Sequence, residues 1–96
     1  MRLSDGDWLC VYNDLEDGRH SLAVSISKDE GETWGITRHL ERVRPGKGRF
    51  HYPSVIESAD GNLHATYSYF VPTPQGEQKS IKYVRFSKDW ILQGTR

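Results

Sequence analysis

The chain has 96 residues, and its 13 Lys and Arg residues balance its 13 Asp and Glu residues to a formal net charge of zero. This size predicts one soluble globular unit at most, and the charge balance argues against a nucleic-acid partner. No apolar run approaches the roughly 20 residues that a membrane span needs, and the N-terminus lacks the apolar core of a signal peptide. We therefore expect no membrane partner, and the sequence indicates no particular compartment.

Two β-type runs and a weaker third are predicted in the first half. "DWLCVYN" (Asp7 to Asn13) is almost continuously apolar, which predicts a strand buried on both faces and a buried thiol at Cys10. "SLAVSIS" (Ser21 to Ser27) alternates between apolar and small residues, as a half-buried strand does. "ITRHLE" (Ile36 to Glu41) is a weaker strand before the loop "RPGKG". The basic residues around that loop are interpreted as a solvated surface: Arg38, Arg42, Arg44, Lys47 and Arg49.

Three further strands are predicted in the second half: "YPSVIES", "NLHATYSYF" and "KSIKYVRFS". The first two are joined by "ADG", which is typical of a tight hairpin, and the last two by "VPTPQGEQ", which indicates a longer loop containing proline. No stretch keeps a helical period over three turns. The chain is therefore predicted to be all-β, with six or seven short strands.

An internal repeat of a little over fifty residues organises these strands. Residues 3–14 align with residues 58–69, since each segment has a D-G turn that opens an aromatic-rich strand. Residues 21–34 align with residues 80–90, each a strand that leads into Ser-Lys-Asp and ends at a Trp. A period of this length is typical of a β-propeller blade, an antiparallel four-stranded meander. We predict about two blades, residues 1–45 and residues 50–96.

The segment "SKDEGETW" contains every specified residue of the Asp-box signature S-x-D-x-G-x-T-W, namely Ser27, Asp29, Gly31, Thr33 and Trp34. A degenerate second copy at residues 87–90 lacks the Gly and the Thr. With the order of the surrounding strands, the chain resembles the BNR/Asp-box sialidase (neuraminidase) family over essentially its whole length. The resemblance implies the C-terminal blades of a six-bladed β-propeller.

The residue types of the box favour a structural turn. A carboxylate at Asp29 can accept backbone N–H groups, Gly31 can adopt a positive φ, and the hydroxyls of Ser27 and Thr33 can satisfy the remaining groups. We expect Trp34 to bury its ring against the blade. A calcium loop would need a longer ladder of oxygen ligands and a distal bidentate Glu, which the segment does not supply. We predict no metal and no cofactor.

The resemblance also implies site residues. In sialidases three arginines bind the substrate carboxylate, a Tyr activated by a Glu is the nucleophile, and an Asp protonates the leaving group. A neutral phenol approaches the anionic substrate with less repulsion than a carboxylate does, and the planar guanidinium pairs bidentately with carboxylates. Arg19 resembles the third arginine in placement, and Tyr52 resembles the nucleophile. His51, beside Tyr52, is placed to line the substrate pocket.

Simpler interpretations remain open for each of these residues. Arg19 also suits a solvated loop charge, and Tyr52 also suits an ordinary strand aromatic. Pro53 and Ser68 depart from the residues usual at the matching sialidase positions. His20, His51 and His64 show no metal-site spacing, and Tyr67, Tyr69 and Phe70 suit either stacking on sugars or packing between blades.

We interpret the chain as a fragment of a sialidase-like exo-glycosidase that hydrolyses a terminal anionic sugar such as sialic acid. It is expected to be inactive alone, because the other arginines, the acid Asp and the activating Glu precede these blades in the family. The alternative is a non-catalytic BNR-repeat module that binds glycans or has a structural role. The expected partner is carbohydrate. Two blades leave sheet faces exposed, so we also predict either a homo-oligomer, with three copies completing a ring, or the remainder of a longer chain.

Overall fold

A computed structural model of the chain describes residues 1–15 and 18–93. Six strands and a short helix follow one another in these residues. They are β1 (Trp8–Tyr12), β2 (Ser21–Ser27), β3 (Ile36–Arg42), β4 (Arg49–Glu57), β5 (Leu63–Thr73), β6 (Gly76–Phe86) and α1 (Lys88–Gln93). The strands form two antiparallel three-stranded sheets, ordered β1-β2-β3 and β4-β5-β6. This confirms the predicted all-β fold of antiparallel meanders, as expected for partial propeller blades, with three strands described in each sheet.

The burial of β1 and β2, the two strands of the first hairpin, is the reverse of what their sequences predict. β1 was expected to be buried on both faces, but it is an edge strand, and Leu9 is its only fully buried residue. β2 was expected to be half-buried, but it is the central strand and every residue of it is buried. Ser25 shows the reason, because its hydroxyl lies 2.8 Å from the Tyr12 hydroxyl and 2.7 Å from the Thr37 hydroxyl. The small residues of β2 let larger neighbours close over them.

The connection between β5 and β6 is a tight hairpin, so the longer loop predicted at residues 71–78 is wrong. Pairing continues to Thr73 opposite Gly76, and the Thr73 hydroxyl donates to the Gly76 carbonyl at 2.5 Å. Pro72 is tolerated because β4 pairs with β5 only as far as Phe70, so beyond that point β5 has β6 as its only strand neighbour.

The core lies between the two sheets. Leu9, Val24 and Ile26 from the first sheet pack with Leu63, Ala65 and Phe86 from the second. A second cluster joins Leu22 to Phe50 and Tyr67. At its edge the Tyr67 hydroxyl donates to Glu41 Oε2 at 2.5 Å, and the Lys82 ammonium donates to the same oxygen. Hydrophobic burial and the polar contacts at Glu41 therefore help to connect the sheets.

The degenerate box at residues 87–90 begins helix α1 instead of an Asp-box turn. The Ser87 hydroxyl accepts from the Trp90 N–H at 3.0 Å, which is the hydrogen bond of an N-cap. The missing Gly and Thr are the residues that the intact box uses to close its turn. Arg38 fixes the helix by donating to the Trp90 carbonyl at 2.6 Å and by lying 4.0 Å from its ring centroid. Among the described residues, no helix is long and apolar enough to cross a membrane.

Candidate functional site

The intact Asp-box is a turn closed by its own side chains. Asp29 accepts the Thr33 N–H at 2.8 Å and the Thr33 hydroxyl at 2.5 Å, while the Ser27 hydroxyl donates to Asp29 at 2.8 Å. Ser27 Oγ also accepts the Gly31 N–H at 2.8 Å. Gly31 has a φ of 90°, and a Cβ there would lie 3.0 Å from the Trp8 ring. Ser27, Asp29, Gly31 and Thr33 therefore complete a hydrogen-bonded turn. Glycine suits position 31 because of its positive φ and because a side chain there would meet the Trp8 ring.

These hydrogen bonds stabilise the charged form of the box carboxylate. The Thr33 hydroxyl, the Thr33 N–H and the Ser27 hydroxyl lower the pKa of Asp29 from 3.8 to about 2. The D-G turn between β4 and β5 works in the same way, since Ser58 and Asn62 lower the pKa of Asp60 to about 2. Both carboxylates are acceptors that hold turns together, and neither is tuned as a general acid near neutral pH.

We expect the thermal stability of the chain to fall as the pH is lowered from about 4 to about 2. A folded-state pKa below the unfolded value gives stability that is complete above the unfolded pKa and is lost as the pH falls through the folded pKa. Tm should be measured from pH 5 to pH 2 for the wild type and for Asp29→Asn. The difference in Tm between them should narrow towards pH 2. Glu30→Gln is the control, because the Glu30 side chain makes none of the turn's hydrogen bonds; a gap that stays constant would contradict the assignment.

Trp34 does not bury its ring as the sequence predicted. The side chain is 40% exposed and lines an apolar cavity of about 330 Å³ with Cys10 and Tyr12, on the face of the first sheet that points away from the second. Cys10 is half-buried there instead of belonging to the core. The ring would be covered only if another surface packed on this face.

Arg19, His51 and Tyr52 lie together although Arg19 is far from the other two along the chain. The loop before β2 carries Arg19, and the start of β4 carries the other two. The Phe50 N–H donates to the Arg19 carbonyl at 2.8 Å, and the Asn13 side chain donates to both the Ser21 carbonyl at 3.0 Å and the Phe50 carbonyl at 3.1 Å. These backbone contacts hold the loop against β4, which brings the three predicted side chains to one surface.

Direct contacts join the three side chains. Arg19 Nη1 donates to His51 Nδ1 at 3.3 Å, and the Arg19 guanidinium carbon lies 5.9 Å from the centroid of the Tyr52 ring. The His51 and Tyr52 rings are 5.8 Å apart between centroids. A cation over an aromatic face is attracted by the ring quadrupole. The predicted arginine and tyrosine therefore converge on one surface.

The backbone at Tyr52 is strained in a way that the sequence did not reveal. Tyr52 has a φ of 51°, an uncommon value for a residue other than glycine, and its side chain is 79% exposed. It lies in a break of the β4–β5 register, between His51 opposite Ser68 and Ser54 opposite Thr66. A β-bulge of this kind redirects a side chain out of the regular alternation, and strain of this kind concentrates at functional sites. The bulge presents the phenol to solvent beside Arg19.

Arg49 is a residue of this surface that the sequence analysis assigned to a solvated loop. Its guanidinium forms a bidentate pair with Glu77, with Nη2 2.6 Å from Oε1, and lies 5.1 Å from the Phe70 ring centroid. The Phe70 ring also lies tilted against His51, with 5.0 Å between the ring centroids. Arg19 and Arg49 line one cleft of about 440 Å³, together with Gly18, His20, Pro45, Gly46 and Gly48. Sequence spacing could not show this, because the cleft is made by two separate loops.

The surroundings of His51 favour its neutral form. Burial lowers its pKa, and the positive charges of Arg19 and Arg49 lower it further. Because arginine only donates, Nδ1 must accept from Arg19, which places the ring proton on Nε2. Nε2 is buried and has no hydrogen-bond partner among the described residues. A buried donor left without a partner costs free energy, so this position is a local destabilising feature of the site.

The described residues provide a recognition surface with two guanidinium groups and several aromatic rings. In residues 1–15 and 18–93 no group of three or more His, Cys, Asp or Glu side chains is arranged to hold a metal ion. The arrangement can bind an anion through Arg19 and can place an exposed phenol beside it.

Comparison with known proteins gives one match. A model of the BNR repeat-like domain matches residues 1–65. Neither a curated protein nor a solved structure matches the chain. The matched range contains the Asp-box, Arg19, His51 and Tyr52, and it ends inside β5.

Proposed function

This chain belongs to the BNR repeat-like domain family, and from that membership we propose that it is a sialidase-like module that binds the carboxylate of a terminal anionic sugar in the cleft between Arg19 and Arg49. The observation that carries the proposal is the convergence of Arg19, from the loop before β2, and Tyr52, from β4, on one exposed surface. The family match supports a sialidase-type or related repeat module, and the sugar is our inference from the chemistry of the cleft.

Arg19 is the proposed ligand of the carboxylate. It is exposed, it reaches the cleft from a loop, and it donates one of its N–H groups to His51. A guanidinium presents five donors in a planar fork that matches a carboxylate. Arg49 contributes less, since Glu77 already occupies its fork and offsets its charge.

His51 and the nearby aromatic rings provide the neutral part of the site. The His51 ring lies tilted against the rings of Tyr52 and Phe70, with centroid distances of 5.8 and 5.0 Å. Flat aromatic faces suit the apolar face of a sugar ring. The exposed phenol of Tyr52 is then available to hydroxyl groups of the ligand.

Tyr52 is the proposed nucleophile of a complete enzyme. A phenol needs a base before it can attack at neutral pH, because its ordinary pKa is near 10. The hydrogen bonds among the described residues include none from the Tyr52 hydroxyl. We therefore propose that this chain alone binds the sugar without cleaving it.

The test is a titration with an α-sialoside followed by NMR chemical shifts or calorimetry. Arg19→Ala should weaken binding by about 10-fold to 150-fold, which corresponds to about 1.5–3 kcal/mol for hydrogen bonds to a charged group. Arg19→Lys should give an intermediate loss, because it keeps the charge and loses the fork. Arg85→Ala is the control, since Arg85 is exposed on β6 opposite His64 and away from the cleft. Equal affinity of the wild type and Arg19→Ala would overturn the proposal.

The same titration separates the two candidate functions. A fluorogenic sialoside should bind and stay intact, which fits either an incomplete glycosidase or a non-catalytic glycan-binding module. Tyr52→Phe distinguishes the two functions. A binding module that uses the hydroxyl as a hydrogen-bond donor should lose affinity, whereas an incomplete glycosidase that uses the hydroxyl only as a nucleophile should not. In the non-catalytic alternative the exposed phenol of Tyr52 would donate a hydrogen bond to the glycan.

A further inference from the structure

Each sheet has one face that nothing in the described chain covers. The outer face of the second sheet carries Ile81 and Tyr83, which are 71% and 57% exposed, together with the exposed Ile56. The outer face of the first sheet carries the cavity lined by Cys10, Tyr12 and Trp34. Adjacent exposed apolar side chains of this kind mark interaction sites more often than isolated ones do.

Each sheet has a strand that follows a D-G turn, and these two turns allow the sheets to be aligned residue by residue. In the first D-G turn the Gly6 N–H donates to the Leu3 carbonyl at 3.0 Å, and in the second the Gly61 N–H donates to the Ser58 carbonyl at 2.9 Å. A strand begins two residues after each glycine, at Trp8 in β1 and Leu63 in β5. The hairpin of β1 and β2 is therefore structurally equivalent to the hairpin of β5 and β6.

This equivalence relates the exposed face of the second sheet to a buried face of the first. Trp8 pairs with Ser27, and Leu63 pairs with Phe86, so the two registers can be counted from these pairs. Counting along the strands makes Ile81 the equivalent of Leu22, and Tyr83 the equivalent of Val24. Leu22 and Val24 are fully buried against the second sheet. Ile81 and Tyr83 thus occupy positions that are packed against another sheet in the first repeat.

The outer face of the first sheet is in turn equivalent to the inner face of the second sheet. Cys10 is the equivalent of Ala65, and Tyr12 is the equivalent of Tyr67, when both are counted from the start of the strand. Ala65 and Tyr67 form the surface on which the first sheet packs. The two uncovered faces are therefore equivalents of the two faces that already contact each other within the chain.

We infer that a second copy of this chain docks head to tail, with the outer face of its first sheet on Ile81 and Tyr83, so that the sheet-to-sheet contact inside the chain is repeated between chains. Such a contact uses two different surfaces, and it produces a closed ring or an open chain of copies according to the rotation at each contact. This inference does not depend on the proposed sugar site.

The test is sedimentation velocity over a range of concentrations with variants blocked on one face. Wild type should associate in a concentration-dependent way. Ile81→Glu blocks the second sheet and Cys10→Glu blocks the first, and each should raise the dissociation constant about 30-fold or more, the effect of losing a hot-spot contact. Gln78→Glu is the matched control, because it adds the same charge to an exposed position of β6 on the opposite side of the strand.

Mixing the two blocked variants gives the decisive result. Each retains one intact face, so an equimolar mixture should form a one-to-one heterodimer although neither variant associates alone. Circular dichroism and a cooperative urea transition verify that both fold. If Cys10→Glu does not fold, Ile81→Glu added to the wild type should shorten its assemblies, because a chain with one blocked face ends them. A wild type that is monomeric at every concentration, or association equally weakened by Gln78→Glu, would overturn the inference.

Discussion

Phe50→Ala is expected to destabilise the fold by about 3–5 kcal/mol, the usual cost of removing a fully buried aromatic ring. The ring is 1% exposed and packs edge-on against Tyr67 at 6.2 Å between centroids and against Tyr69 at 5.7 Å. Phe50 belongs to the second sheet and contacts Leu22 of the first. The cavity would therefore open at the contact between the sheets, where few other side chains can move to fill it.

The same substitution should also disturb the candidate site. The Phe50 backbone holds the Arg19 loop through its N–H and the Asn13 side chain through its carbonyl. A shift of β4 would separate Arg19 from Tyr52 and weaken binding of the anionic sugar in the fraction of chains that remain folded. The two effects are separable, because binding can be measured at a temperature where the variant is still native.

Urea unfolding measures the stability, and Ile56→Ala is the control. Ile56 lies on the same strand with its side chain exposed, so its removal should change the free energy of unfolding by no more than about 0.5 kcal/mol. A loss below about 1 kcal/mol for Phe50→Ala would show that the second core cluster contributes little, and would contradict the packing described above.

Tyr67→Phe is expected to cost about 1.5–3 kcal/mol, because it removes a hydrogen bond to a charged acceptor at a buried position. The Tyr67 hydroxyl donates to Glu41 across the two sheets, and burial together with this carboxylate raises the pKa of Tyr67 well above its ordinary value. The raised pKa favours the protonated phenol, which is the form that donates to Glu41. This residue packs the sheets together, which is the second of the two roles considered for it from sequence.

A double-mutant cycle isolates this contact. Tyr67→Phe and Glu41→Gln are combined, and urea unfolding of the four proteins gives the coupling energy between the two side chains. We expect a coupling of about 0.5–3 kcal/mol, which is the range for residues in contact. Tyr52→Phe removes a hydroxyl from an exposed tyrosine on β4 and should leave the stability unchanged. Additive effects of the two substitutions would mean that the hydroxyl and the carboxylate do not depend on each other.

The order and type of the strands could be predicted from the sequence, whereas their burial could not. Turn signals such as Asp5-Gly6 and Asp60-Gly61 act over a few residues, so they locate strand ends without knowledge of the rest of the chain. Burial depends on which strand is central. The continuous apolar run of β1 lies at an edge, and the small residues of β2 lie in the middle. The short helix at residues 88–93 was missed because six residues are too few to show a helical period.

The candidate site was predicted in part. Arg19, His51 and Tyr52 were named from the family resemblance, and the structure places them in contact. Arg49 was interpreted as part of a solvated surface, Phe70 was left open between sugar stacking and blade packing, and Glu77 was not named. Their neighbours at the site come from distant segments and share no spacing with the motif. In the sequence, the residues around Phe50 on β4 and Tyr69 on β5 gave no sign of the bulge at Tyr52.

The sequence by itself determined the all-β class, the repeat and the box turn, because each depends on hydrogen bonds or alternation within a few residues. Ser27, Asp29, Gly31 and Thr33 close their turn without help from any other part of the chain. Only the tertiary structure decided where Arg19 meets Tyr52, that Arg49 shares their cleft, and which sheet faces stay uncovered. These features depend on how two sheets pack, since packing brings together residues whose separation along the chain carries no local signal.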